Sequence, residues 1–155
     1  MAEAFSMSLD LASCNGFIDA VGRGAEDQVR PAAQAAAQVL YDEVLLRVPQ
    51  SVKGHWFTGS NYKKTGQRYY FDAGSLRNSI YQAYSKDGSG QKRATYHVSW
   101  NYRKAPYGHM VEFGTSRAPA RSFLRPAWDA KIVAATTAAE ERFTTGLDRV
   151  IGGLQ

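Results

Sequence analysis

Cysteine occurs once in this 155-residue chain and histidine three times. A lone Cys14 can neither close an internal disulfide nor supply half of a Cys-x-x-Cys site, and it reads as a small residue near a turn. His55 and His97 have no Cys, His or Asp at ligand spacing, so no zinc site is expected. Acidic residues are scarce where the chain is otherwise most polar: between 51 and 125 there are only Asp72, Asp87 and Glu112. Acid–base pairs and metal nucleases need convergent carboxylates, and these are too few and too scattered. The sequence also lacks a Gly-x-Ser-x-Gly elbow, a phosphate-cradling loop and a dinucleotide fingerprint. No enzyme, no metal and no cofactor is therefore expected. Long apolar runs are missing as well, which argues against a membrane span. The N-terminus, MAEAFSMSLDLASCNG, has no basic segment followed by an apolar one, so synthesis in a cytoplasm without a secretory signal is expected.

What is present suits one domain covering 1–155, with 44% apolar and 21% charged residues. The net charge of +5 is unevenly spread. Residues 1–50 carry 3 basic and 7 acidic groups, residues 51–125 carry 13 and 3, and residues 126–155 carry 3 and 4. Fourteen of the 19 aromatics share the basic middle segment. That segment is the expected contact region for an acidic partner, protein or nucleic acid.

Met7, Leu9 and Leu11 alternate with Ser8, Asp10 and Ala12, the pattern of a short half-buried strand, and Asn15-Gly16 reads as a turn. From 17 to 48 the apolar positions Ile18, Val21, Ala25, Val29, Ala33, Ala36, Leu40 and Val44 lie three or four apart, on one stripe of a long helix. Asp19, Glu26, Arg30, Gln34, Gln38 and Glu43 form the wetted face. Pro31 kinks this helix or starts a second one; the unbroken phase of the stripe favours the kink. Runs at 76–84 and 93–101 read as strands, and SKDGSGQK between them as the turn of a β-hairpin. Tyr107, Met110, Val111 and Phe113 fit a short helix closed by Gly114, with a buried strand as the competing reading. A last helix carries the stripe Trp128, Ile132, Ala135, Ala139, Phe143, Leu147 and Val150. The expected fold is α+β: a long N-terminal and a C-terminal helix packed on a small, mainly antiparallel sheet, with a long inserted loop.

That loop, 50–73, shows no sustained period and is expected to be flexible. Lys53, Lys63, Lys64 and Arg68 are interleaved there with Trp56, Phe57, Tyr62, Tyr69 and Tyr70. Cations with stacking rings are the composition of single-strand nucleic-acid binders, yet Tyr, Trp and Arg are equally the residues of protein interfaces. A basic DNA-binding accessory protein is thus one functional reading, and a segment that docks on a protein partner is the other.

The stretch YGHMVEFGTSRAPARSFLRPAW, residues 107–128, is the densest in unusual residues. His109 and Glu112 at i and i+3 would face one side of a helix, as a metal or proton-shuttling pair would, but a third ligand is missing locally. An ordinary hydrogen-bonded pair or a contact in an interface is the reading adopted. The stretch resembles the signature of the head–tail joining, or tail-completion, family of tailed bacteriophages, the gene-product-10 type of lambdoid phages. The residues that carry the likeness are Val111, Glu112, Phe113, Gly114 and Thr115, then Ala118, Pro119 and Ala120, then Phe123, Leu124, Arg125, Pro126 and Ala127. A second block also fits: a long helix ending at Pro49, followed later by Gly74, Leu76, Arg77, Ser79 and Ile80. The family's usual spacing between these two points is a few residues, whereas 24 intervene here, so 50–73 is an insertion.

The resemblance implies a structural virion protein, made in the host cytoplasm. It would assemble as a homo-oligomeric ring, a hexamer or dodecamer, at the neck or tail end, completing the tail and joining it to the head. Its partners would be other neck, connector or tail proteins, with packaged DNA nearby and no membrane. Glu112, Phe113, Gly114, Thr115, Arg117, Arg121, Phe123 and Arg125 would form the subunit or partner interface, with Glu112 pairing to Arg117 or Arg125 within the subunit or across a subunit boundary. The insertion's basic and aromatic residues would form a partner-docking loop.

Overall fold

A computed structural model describes residues 12–59 and 62–154. The expected strand at 7–11 lies outside the described residues. The chain begins with helix α1 (Ala12–Arg47) and then forms strand β1 (His55–Thr58), short helix α2 (Tyr62–Thr65), strand β2 (Arg68–Phe71) and short helix α3 (Ser75–Asn78). Strands β3 (Ile80–Gly90) and β4 (Arg93–Trp100), short helix α4 (Gly108–Phe113) and long helix α5 (Leu124–Gly152) complete it. The architecture is α+β, as the periodicities predict. Its sheet is divided into two separate antiparallel pairs, β1–β2 and β3–β4.

Helix α1 continues through Pro31 as one helix, the reading that the unbroken stripe favours, and also through the expected turn. Pro31 lies inside it, and Asn15-Gly16, read as a turn, is helical. A Cβ at Gly16 would meet nothing within 4 Å, so the glycine here is a tolerated helix residue that costs about 1 kcal/mol against alanine. The α1–α5 pairing is antiparallel. Gly24 faces Val150, Gln28 faces Gly146, and Glu43 lies 3.9 Å from Lys131. Small residues hold this seam: Ala32, Ala37, Ala127, Ala135 and Gly146 are buried, which lets the two backbones approach closely. The stripes read from the sequence are therefore rotated slightly toward alanine and glycine. Trp128, placed on the core stripe by its spacing, is 52% exposed. Glu43, placed on the wetted face, is buried and paired with Arg47 at 2.6 Å.

The main core gathers at the C-terminal end of α1, where Val44 and Val48 meet Leu76, Ile80, Ala105, Phe123 and Ala127. The β3–β4 hairpin covers it, although β3 starts later than the sequence suggests because Ser75–Asn78 turns helically first. It also runs further: most of SKDGSGQK is strand, and Gly90 pairs with Arg93 across Gln91 and Lys92. The Asp87-Gly88 turn signal falls on a register irregularity between Ser85 and Gly90. Ser89 Oγ donates to the Ser85 carbonyl at 2.6 Å and Thr95 Oγ1 to the Gly88 carbonyl at 2.7 Å, so side chains satisfy the interrupted ladder.

The 50–73 segment carries regular structure where the sequence shows no period. His55, Trp56, Phe57 and Thr58 pair with Phe71, Tyr70, Tyr69 and Arg68, and α2 forms the tip. Strands of four residues are too short to declare an alternation, which is why this hairpin was not legible.

Candidate functional site

The signature stretch builds its loop from the inside out. Tyr107 leads α4, and Gly108 lies against the indole of Trp100, where a Cβ would sit 2.5 Å from Nε1. Only glycine allows α4 that close to β4. The helix ends at Gly114, whose φ of +77° and ψ of 179° are reserved for glycine, as expected of the closing residue. A Cβ there would also lie 2.7 Å from the Ala120 nitrogen. The chain then makes a tight turn. The amide of Thr115 donates to the Ala118 carbonyl at 2.8 Å, and Thr115 Oγ1 accepts from the amides of Arg117 and Ala118. It returns alongside α4, with the Arg121 amide on the Val111 carbonyl and Ser122 Oγ on that of Glu112.

Glu112 locks this loop to α5. Its carboxylate accepts from the backbone N–H groups of Phe123 at 2.7 Å, Leu124 at 3.1 Å and Arg125 at 3.3 Å. These are the orphan donors of a helix N-terminus, and an anion there is favoured by both hydrogen bonding and the helix dipole. Within the subunit this cap stands in place of the pairing with Arg117 or Arg125, and Glu112 is 4% exposed. Nor does Glu112 pair with His109. The His109 ring packs on Phe113 at 4.7 Å while the carboxylate turns to α5. Two members of the expected interface, Glu112 and Phe123, are thus internal. Gly114 shapes the turn, and Phe113, Thr115, Arg117, Arg121 and Arg125 are exposed.

Tyr107 joins this loop to the 50–73 segment. Its ring meets His55 at 4.8 Å, Phe71 at 5.0 Å and Phe57 at 6.1 Å, so one face of the β1–β2 hairpin is an aromatic cluster built around α4. Burial raises the Tyr107 phenol above its ordinary pKa, outweighing the lowering effect of hydrogen bonds with the Leu76 backbone and the Ser75 side chain. The other face of the hairpin points away. Trp56 and Tyr70 meet edge to face across the strands at 5.2 Å and are 65% and 54% exposed. Arg68 donates to the Tyr62 hydroxyl at 2.8 Å, and Lys53, Lys63 and Lys64 are exposed near them. A groove of about 620 Å³ runs between the hairpin and α4, lined by Phe57, Arg68, Tyr69, Tyr102, Arg103 and Met110 among others. Of these, Tyr102 and Arg103 have no signal in the sequence beyond the run Asn-Tyr-Arg-Lys after β4, and Met110 is marked there only as a position of the short helix.

Among the described residues no three His, Cys, Asp or Glu lie where they could hold a metal ion. No described helix is long and apolar enough to cross a membrane. The geometry is that of an anchored loop and an aromatic hairpin sharing one half-buried tyrosine, with basic and apolar groups outside.

Residues 14–114 match the family described as "Bacteriophage HK97-gp10, putative tail-component", and the chain belongs to this HK97-gp10-like family. It is a tail-related structural component of a bacteriophage, with its place in the virion among other phage structural proteins. Neither the curated proteins nor the solved structures contain a match to the chain.

Proposed function

We propose that the protein is a non-enzymatic ring subunit at the head–tail interface or tail end, where it completes the tail and joins it to the head. The observation that carries this reading is the Tyr107 cluster. It ties the family's signature loop and the 50–73 segment into one body whose outer faces are basic and aromatic. Phe113, Arg117, Arg121 and Arg125 then serve as subunit contacts, and Lys53, Trp56, Tyr62, Lys63, Lys64, Arg68, Tyr69 and Tyr70 dock the hairpin on a neck, connector or tail protein. Rim arginines beside an exposed aromatic anchor are the composition of protein–protein hot spots. Ring contacts are heterologous, so the loop and the surface it meets differ, and closure follows from rotation.

The test is assembly. Light scattering and negative-stain images of the purified chain, alone and mixed with portal and tail-tube proteins of the same phage, are expected to show closed rings and a joined complex. A strict monomer that associates with none of them refutes the proposal. Tight DNA binding that weakens steeply with salt, without such association, would instead favour the accessory DNA-binding reading.

A further inference from the structure

We infer that each copy of the chain donates its residues 7–11 as an added β-strand to the open edge of β4 in a neighbouring copy. Among the described residues β4 pairs with β3 alone. The Thr95 amide donates to Ser89 Oγ and the Asn101 amide to the Ser79 carbonyl, so the odd residues of β4 turn their backbone groups toward β3. By alternation Tyr96 and Val98 turn theirs to the open side. A groove of about 630 Å³ lies along that side, and Tyr96, His97 and Val98 line it consecutively, which a strand does only from its edge. Its floor and walls are apolar: Ala37, Leu40 and Val44 of α1, and the half-exposed Trp128 of α5. Arg125 and Asp129 stand on the α5 wall.

An unpaired edge beside an apolar trough is a template for one kind of occupant, an extended segment with apolar side chains at every second position. Residues 7–11, Met-Ser-Leu-Asp-Leu, are such a segment. Met7, Leu9 and Leu11 would cover the trough, while Ser8 and Asp10 face out on the side of His97.

Reach assigns the donor to another copy. The Tyr96 hydroxyl contacts Gln34 at 3.5 Å, so the groove lies level with residue 34 and beyond on α1. Ala12 lies ~33 Å from that level along the helix. Leu9 can stray only ~10 Å from Ala12 even when fully extended. The start of α1 also leads away from its own body. Gly24 is already opposite Val150, and α5 ends at Gly152, so residues 12–21 have no α5 beside them. Phe17 and Ile18 on that projection are 45% and 59% exposed. An arm of this form delivers the strand outward, to the next subunit. The inference rests on the ring reading and adds to it the contact that links the copies.

Mixed disulfide trapping in the full-length chain tests it. In a Cys14→Ser background, one preparation carries Ser8→Cys or Asp10→Cys and a second carries His97→Cys, so that a bond between them joins two copies. Mixing under mild oxidation is expected to give the mixed dimer from at least one pairing. Leu9→Asp in the donor chain should cut its yield at least about tenfold, since a charge would then enter the trough. Intact rings that form no mixed disulfide with either donor overturn the strand exchange and leave the ring standing. A protein that remains monomeric throughout overturns both. A doubly substituted chain that forms the bond within itself at high dilution also overturns the exchange.

Discussion

The Glu112 carboxylate accepts the Phe123 amide at 2.7 Å, and with it the start of α5 is fixed to the end of α4. A buried acid of this kind stabilises by satisfying several helix donors at once. Removing it leaves those N–H groups buried and unpaired. Glu112→Ala should therefore cost about 2 kcal/mol, lowering Tm by roughly 4–8 °C in a domain of this size. Glu112→Gln keeps an acceptor without the charge and should fall between. Thermal unfolding by circular dichroism reads both, and an alanine variant that melts with the parent would refute the capping role.

The helix seam gives a sharper contrast between two glycines two residues apart. A Cβ at Gly24 would lie 2.3 Å from Val150 Cγ1, and a β-branched side chain in a helix has little freedom to move aside. At Gly22 nothing lies within 4 Å. Gly22→Ala should stabilise by about 0.5–1 kcal/mol through helix propensity alone. Gly24→Ala should destabilise by about 1–3 kcal/mol as an overpacked seam. Adding Val150→Ala should recover most of that loss. Urea midpoints of the four chains decide it, and a Gly24→Ala variant as stable as Gly22→Ala would show that the seam is looser than its geometry.

The long helices, the β3–β4 hairpin and the short α4 closed by Gly114 were legible in the sequence because each is long enough to show a period or carries a turn residue. What was illegible has physical causes. Asn15-Gly16 carries a turn signal, yet a helix that continues on both sides outweighs it. Trp128 has core spacing but sits where the α5 seam needs Ala127, so the larger ring is left half outside. The motif marks Glu112 without showing its inward turn. The motif records which residue is required, while only the fold shows that it caps α5. The Tyr107 cluster joins residues from 55 to 107, and nothing local in the sequence announces a contact over that separation.

Burial raises the Tyr107 phenol above its usual 10.0, so the fold favours the protonated ring. A group with a raised folded pKa contributes stability that is whole below its unfolded value and is lost as pH climbs through the folded one. The urea midpoint should accordingly fall as the pH is taken from about 9 to about 11. The fall should be smaller in Tyr107→Phe, which has no proton to lose. Equal pH dependence in the two chains would mean that the cluster does not govern alkaline stability.

The exposed face of the β1–β2 hairpin allows docking to be separated from folding. Trp56 and Tyr70 meet edge to face across the strands on the side away from Tyr107. Such a cross-strand pair is worth roughly 0.2–1 kcal/mol to the fold, whereas a buried aromatic anchor in an interface is worth about 2 kcal/mol or more. Replacing both by alanine should therefore shift Tm by a few degrees at most, while association with the neck or tail partner weakens by roughly 30-fold or more. Reversing charge on Lys63 and Lys64 should act mainly on the association rate and fade at high salt. Unfolding curves together with sedimentation of the mixed proteins give both readouts. A double-alanine chain that joins its partner as well as the parent, with unfolding also unchanged, would remove the hairpin from the docking surface and leave the Glu112-anchored loop to carry it.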